Sequence, residues 1–246
     1  MRSRPSGPPA EPLRERGRTP GTVAGVFVKI CAVTEPADAA LAAELGADAI
    51  GMIFAPSPRR GEIAQAKDIA AALPDHVLSV GVFRDHLAGE VIEIAEAAGL
   101  DGAQLHGSET PATSLEVGRH LRFVIRAMAA GDPQLVDIDD HRADVLHLDA
   151  PTPGGGVPFD WSLVGDLGAR HRLLLAGGLR PENVAEAIAT VRPWGVDGAT
   201  GTEVSFGKKD PDLLRRFISE AKAAGADLPT MHPPLFATDP DRTPSP

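Results

Sequence analysis

One cysteine, Cys31, in 246 residues has no partner for an intramolecular disulfide, which sets aside the disulfide-stapled secreted scaffolds. No apolar run approaches the roughly 18 residues that a membrane helix needs. Basic residues are the minority: 24 Lys and Arg against 34 Asp and Glu give a net charge of −10, the opposite of a nucleic-acid binder. The eight histidines form no HxH or HExxH pattern, so no metal site is expected. The opening residues, MRSRPSGPPAEPLRERGRTPG, carry Arg and Pro without the apolar stretch of a signal peptide. These exclusions leave a cytoplasmic protein with no nucleic-acid or membrane partner and no organic cofactor. An anionic small substrate stays open, because a local pocket can oppose the global sign.

Both ends are rich in proline and are expected to lack structure, over residues 1–25 and 226–246. Between them, short apolar runs alternate with helical patterns. The runs are VFVKICA (26–32), AIGMIF (49–54), LSVGVF (78–83), GAQLHG (102–107), RFVIRAM (122–128), DVLHLDA (144–150), LLLAGGL (173–179) and GVDGATG (195–201). Each is too short for a helix, and several are β-branched and bounded by glycine, as buried strands are. PADAALAAELG, EVIEIAEAAG and PENVAEAIATV place Ala, Leu and Ile three and four residues apart, the helical period. Eight such strand–helix units predict an α/β protein with parallel strands over 26–225, closed into one (β/α)8 barrel rather than spread as an open doubly wound sheet. About 250 residues is the usual size of that fold.

In such a barrel the chemistry sits at the C-terminal strand ends. Cys31, Gln104, His106, Arg126, Asp149, Gly177, Gly178, Thr200 and Gly201 all fall at or near those ends. The loops after strands seven and eight, LAGGL and GATGTE, offer backbone N–H groups to a phosphate, with glycine allowing close approach. Cys31 lies two residues beyond an inward-facing Lys29, and a thiol whose polar or cationic surroundings favour the thiolate can serve as a general base or a nucleophile. Asp149 ends a strand across the barrel, where partial desolvation keeps a carboxyl protonated as a general acid. One base and one acid on opposite faces of a bound sugar suit a proton-transfer isomerisation. Arg59 and Arg60 in APSPRR are candidates to clamp a substrate carboxylate, although adjacent arginines after prolines also suit a solvated loop. A buried Lys29 needs a carboxylate, and Asp197 on the neighbouring eighth strand is the candidate.

At these residues the chain resembles the phosphoribosylanthranilate isomerase family of tryptophan biosynthesis. The similarity runs from Val28 to about Gly225, through VKICAVTEPADA, GADAIGMIFAPSPRR, GAQLHGSE, HLDAPTPGGGVPFDWS, LAGGLRPENVAEAI and FGKKD. The resemblance implies an Amadori rearrangement of a phosphosugar: an acid opens the ribose ring and a base removes the C2′ proton. It assigns the base to Cys31, the acid to Asp149 and the carboxylate clamp to Arg59, with Arg60 the alternative if the loop is shifted by one. Gly178 and Gly201 fall to the phosphate site. Gln104, His106, Gly177, Asp197 and Thr200 join them as substrate-binding candidates, in a monomer or a homodimer.

Three departures stand out. Ala32 replaces the family's usual glycine, which is strained if φ there is positive. DGATGTE replaces DVSSGVE in the eighth strand, and His147 stands where leucine is commoner, on the inward face with Asp149. Rival readings are a barrel that binds a phosphosugar without turning it over, the histidine-pathway isomerase and indoleglycerol-phosphate synthase. A first-strand cysteine argues against the second. The third needs catalytic lysines, and only Lys29 lies in a strand.

Overall fold

The computed structural model describes residues 25–152, 156–228, 232 and 235. The tail expected at the N-terminus lies outside them up to residue 24, as do most of the C-terminal tail and residues 153–155 of the PTPGGG loop. Eight parallel strands close into a barrel in sequence order. They are β1 (Phe27–Ile30), β2 (Ala49–Ile53), β3 (Leu78–Phe83), β4 (Gly102–Leu105), β5 (Phe123–Ala129), β6 (Val145–Asp149), β7 (Leu173–Leu175) and β8 (Gly195–Gly198). The pairing of β1 with β8 completes the ring. Beyond β8 a short antiparallel hairpin, β9 (Glu203–Ser205) and β10 (Lys208–Lys209), precedes the last helix.

Helices α1 (Pro36–Glu44), α2 (Ile63–Ala72), α3 (Ala88–Ala98) and α4 (Pro111–His120) cross between the first five strands. Proline opens α1 and α4, where its missing N–H costs nothing, and Thr110 caps α4 by accepting from Thr113 N. The expected eight strand–helix units are not all regular. The crossing from β5 to β6 is a 3-10 helix, Pro133–His141, broken by non-helical angles at Asp137. Its sequence, PQLVDIDDH, carries three aspartates, whose side chains compete for backbone N–H groups. The next crossing holds a 3-10 turn, Trp161–Val164, and only four residues of α5 (Leu167–Arg170). Regular crossings resume with α6 (Val184–Val191) and α7 (Pro211–Gly225), the latter capped by Asp210 on Asp212 N and Leu213 N. Among the described residues no helix is long and apolar enough to cross a membrane.

Side chains two apart on a strand share a face, so the barrel interior fills in layers. Phe27, Leu78, Val80, Phe123, Ile125, Val145 and Leu174 pack its lower part. Above them, the next inward residues on β1, β6 and β8 are Lys29, His147 and Asp197, all buried. One step further up, Cys31 follows Lys29 and Asp149 follows His147. The outer strand faces and the helices enclose a second, larger apolar core.

Candidate active site

The C-terminal strand ends surround a cavity of about 290 Å³. Cys31, Arg59, Gln104, His106, Asp149, Gly177, Gly178, Asp197, Thr200 and Gly201 all line it, and Arg60 does not. Arg60 is exposed, its backbone bridged in parallel to Ile53, and neighbouring residues on extended chain point opposite ways. The loop register that favours Arg59 is therefore the one adopted. Arg126 also misses the cavity. It binds Glu109 at 3.0 Å and the carbonyls of Leu105 and Gly107 at 2.9 Å, holding the β4–α4 loop from behind.

The floor of the cavity is an ion pair set by strand register. Lys29 and Asp197 are Cα partners across β1 and β8, and Lys29 Nζ donates to Asp197 Oδ2 at 2.9 Å. His147 Nε2 meets the same oxygen at 3.0 Å. Burial opposes the charge on Asp197, but Lys29, with help from His147, outweighs it and holds the carboxyl at about 2. Burial likewise opposes Lys29, yet Asp197 and Cys31 keep its ammonium above the ordinary value. His147 Nδ1, Asp197 Oδ1 and Gln104 Oε1 are buried with no hydrogen-bond partner among the described residues, which marks the floor as a place for polar ligand groups.

Cys31 sits on this floor beside the Lys29 ammonium. A Cβ on Gly51 of the adjacent strand would stand 2.9 Å from Cys31 Sγ and 3.1 Å from Lys29 Nζ, so glycine there makes room for both. Burial pushes the thiol above its ordinary value and Lys29 only partly opposes it. The resting group is a thiol, not the ready thiolate that an adjacent cation alone suggests. Ala32, next along, has φ of +62°. A non-glycine residue in that region carries roughly 1–2 kcal/mol of strain.

Asp149 faces the same cavity from β6. Its Oδ1 accepts from Ala150 N at 2.8 Å, and burial raises its carboxyl above the ordinary range, with His147 only partly opposing. His106 stands nearby, and burial, reinforced by His147, lowers its imidazole to about 3. Gln104 Nε2 reaches His106 Nδ1 at 3.4 Å.

Arg59 is not free. Its Nε meets both Glu203 carboxylate oxygens, at 3.0 and 2.9 Å, and Nη2 donates to Thr200 Oγ1 at 3.1 Å. On the β7 and β8 side, Gly177 and Gly178 adopt φ of +82° and +66°. Added Cβ atoms would strike the backbone of Ala150 at Gly177 and of Val157 and Pro158 at Gly178, so these glycines let the loops after β6 and β7 pack closely. The N–H groups of Gly177, Gly178, Thr200 and Gly201 bond to no acceptor among the described residues. Four such donors along one wall are what an anion-binding concavity is built from. Arg84, which also lines the cavity, was not anticipated, because a charge just beyond a strand looks like ordinary loop. Its only signal was its place immediately after LSVGVF. Glu203 carried no signal, since its partner is 144 residues away.

Comparison with known proteins covers almost the whole barrel. Residues 28–220 match the family model described as N-(5′-phosphoribosyl)anthranilate (PRA) isomerase. N-(5′-phosphoribosyl)anthranilate isomerase of Rubrobacter xylanophilus is 42% identical over 203 residues, 80% of this chain and 98% of that protein. The Pseudomonas fluorescens enzyme of the same name is 45% identical over 208 residues, 81% of this chain and all of that protein. Among solved structures, phosphoribosylanthranilate isomerase from Thermotoga maritima superposes with a TM-score of 0.76 at 38% identity, covering 80% of this chain and 99% of that one. A structure of phosphoribosylanthranilate isomerase in complex with reduced 1-(o-carboxyphenylamino)-1-deoxyribulose 5-phosphate gives 0.73 at 36% identity, with coverage of 80% and 99%.

Proposed function

The chain belongs to the N-(5′-phosphoribosyl)anthranilate isomerase family, and we propose that it carries out that family's reaction with Cys31 as general base and Asp149 as general acid. It is an isomerase of tryptophan biosynthesis, converting N-(5′-phosphoribosyl)anthranilate to 1-(2-carboxyphenylamino)-1-deoxyribulose 5-phosphate. The residue assignments are those that the family resemblance implies, laid onto the cavity. Its phosphate lies against the N–H groups of Gly177, Gly178, Thr200 and Gly201. Its anthranilate carboxylate meets Arg59. That leaves the ribose between β1 and β6, above the unpartnered polar atoms of Gln104, His147 and Asp197, which suit sugar hydroxyls.

Asp149 gives its proton to the ring oxygen as the C1′–O bond breaks, and the nitrogen lone pair forms the Schiff base. Without that proton an alkoxide would have to leave, which is unfavourable at neutral pH. The Cys31 thiolate then takes the C2′ proton, and the electron pair moves toward the protonated imine to give an enolamine. Protonation at C1′ and loss of the 2′-hydroxyl proton give the ketone. Lys29, held by Asp197, supports the transient thiolate. We keep the enzyme in the cytoplasm, cofactor-free, as a monomer or homodimer; a Thermotoga maritima relative is described as dimeric.

The observation that carries the assignment is that Cys31 and Asp149, from different strands, open onto one cavity that Gly177, Gly178, Gly201 and Arg59 also line. Cys31→Ala tests it. Turnover is expected to fall by at least ~10²-fold with KM nearly unchanged, the usual cost of losing a general base. Near-native turnover removes Cys31 from the mechanism.

A further inference from the structure

We propose that Glu203 is a positioning residue: it fixes how Arg59 presents its guanidinium to the substrate carboxylate. The proposal rests on Arg59 being the partner of that carboxylate. Arg59 comes from the β2–α2 loop and Glu203 opens β9, so the two meet only because the hairpin folds back over the barrel mouth. Glu203 takes the Nε–Nη2 edge of the guanidinium, with Nη2 at 2.9 Å from Oε2. Nη1 has no hydrogen-bond partner among the described residues. A guanidinium is planar, with two edges that can each grip a carboxylate. With the Nε–Nη2 edge on Glu203 and the second Nη2 hydrogen on Thr200 Oγ1, Nη1 is the group left for the substrate.

Two further contacts lock that orientation. The ring of Phe206, at the hairpin turn, lies 4.4 Å from Arg59 Cζ and covers one face of the plane. Glu203, its side chain 2% exposed, is itself anchored by Gly207 N at 3.4 Å and Lys209 Nζ at 3.5 Å. Lys209 is fixed in turn by Ala199 O and Thr202 Oγ1, both at 3.1 Å. Glu203 shares its charge between Arg59 and Lys209, so it orients the arginine without fully neutralising it. An arginine held in place before binding forfeits little side-chain freedom when the substrate arrives, which is the gain.

The test compares two compounds, the anthranilate substrate and the matching phosphoribosylamine built on aniline, which has no carboxylate. Glu203→Gln is expected to raise KM for the first by roughly tenfold with kcat within about twofold, since the lost interaction acts on ground and transition state alike. The aniline compound should be processed by wild type and Glu203→Gln alike, and in an Arg59→Ala background Glu203→Gln should change nothing further. Should Glu203→Gln not fold, because Lys209 loses its counter-charge, Glu203→Gln/Lys209→Met removes both charges and is measured the same way. Retained wild-type preference for the carboxylate overturns the proposal, as does equal loss on both compounds. A wild-type enzyme indifferent to the carboxylate overturns the Arg59 assignment together with it, whereas the first two results leave Arg59 standing.

Discussion

Asp149 Oδ2 lies 3.6 Å from Nε2 of His106, and that imidazole, lowered to about 3, is neutral at physiological pH. Two buried cations of the barrel, Lys29 and Arg126, are engaged elsewhere, with Asp197 and Glu109. Among the described residues Asp149 is therefore a buried carboxyl facing the cavity without a charged salt-bridge partner, which favours its protonated form. A carboxyl that served as a counter-ion would be shifted the other way, as Asp197 is.

The pH profile follows from the two shifts. The reactive enzyme has Asp149 protonated and Cys31 ionised, and burial shifts both groups above their ordinary values. The population of that form rises with pH up to the Asp149 pKa, stays level, and falls above the Cys31 pKa. In wild type, kcat/KM should show a plateau between two ionisations, the lower above the ordinary carboxyl value of about 3.9 and the upper above the ordinary thiol value of about 8.5. In Asp149→Asn the plateau should vanish, and residual kcat/KM should climb about tenfold per pH unit until Cys31 ionises. A mutant profile still flat across neutrality would mean that another group limits the reaction.

Arg59 and Arg60 separate cleanly. Arg59→Ala should raise KM by ten- to a hundredfold, roughly 1.4–3 kcal/mol of lost charge-assisted hydrogen bonding, with a smaller change in kcat. Arg60→Ala, at an exposed position outside the cavity, should leave both within about twofold. Steady-state kinetics on the two variants checks the pair, and a larger effect at Arg60 would reverse the assignment.

Ala32 is a site of backbone strain beside the catalytic thiol. Glycine relieves roughly 1–2 kcal/mol of left-handed strain at φ of +62° and gives back part of it as extra freedom of the unfolded chain. Ala32→Gly should therefore raise the unfolding free energy by about 0.5–1 kcal/mol in denaturant titration. An unchanged or lower value contradicts strain at this residue.

The barrel was legible because its strands are short β-branched or apolar runs with abrupt ends. LSVGVF matches β3 residue for residue, and LLLAGGL differs from β7 only in its glycine loop. The crossings around β6 were not legible. PQLVDIDDH has apolar residues near helical spacing, but its aspartates and the short span turn it into a broken 3-10 helix. Cys31 and Asp149 could be placed from strand ends alone, and the pairing of Lys29 with Asp197 from the adjacency of first and last strands. Glu203 and Phe206 could not. They act on Arg59 through a hairpin that only the folded chain brings over the barrel mouth. His147 could be placed facing inward, but not in its bond to Asp197, which depends on the side-chain depth of two strands.

The most direct measurement is the turnover of Asp149→Asn beside its melting temperature and its affinity for reduced 1-(o-carboxyphenylamino)-1-deoxyribulose 5-phosphate. Asparagine keeps the shape and the bond to Ala150 N but supplies no proton. Because Asp149 has no charged salt-bridge partner among the described residues, no buried cation there is stranded by the change, and the melting temperature should stay close to wild type. Affinity for the reduced product should be nearly native, while kcat falls by roughly 10²–10⁴-fold. A clearly destabilised Asp149→Asn enzyme that still isomerises at a near-native rate would contradict the account.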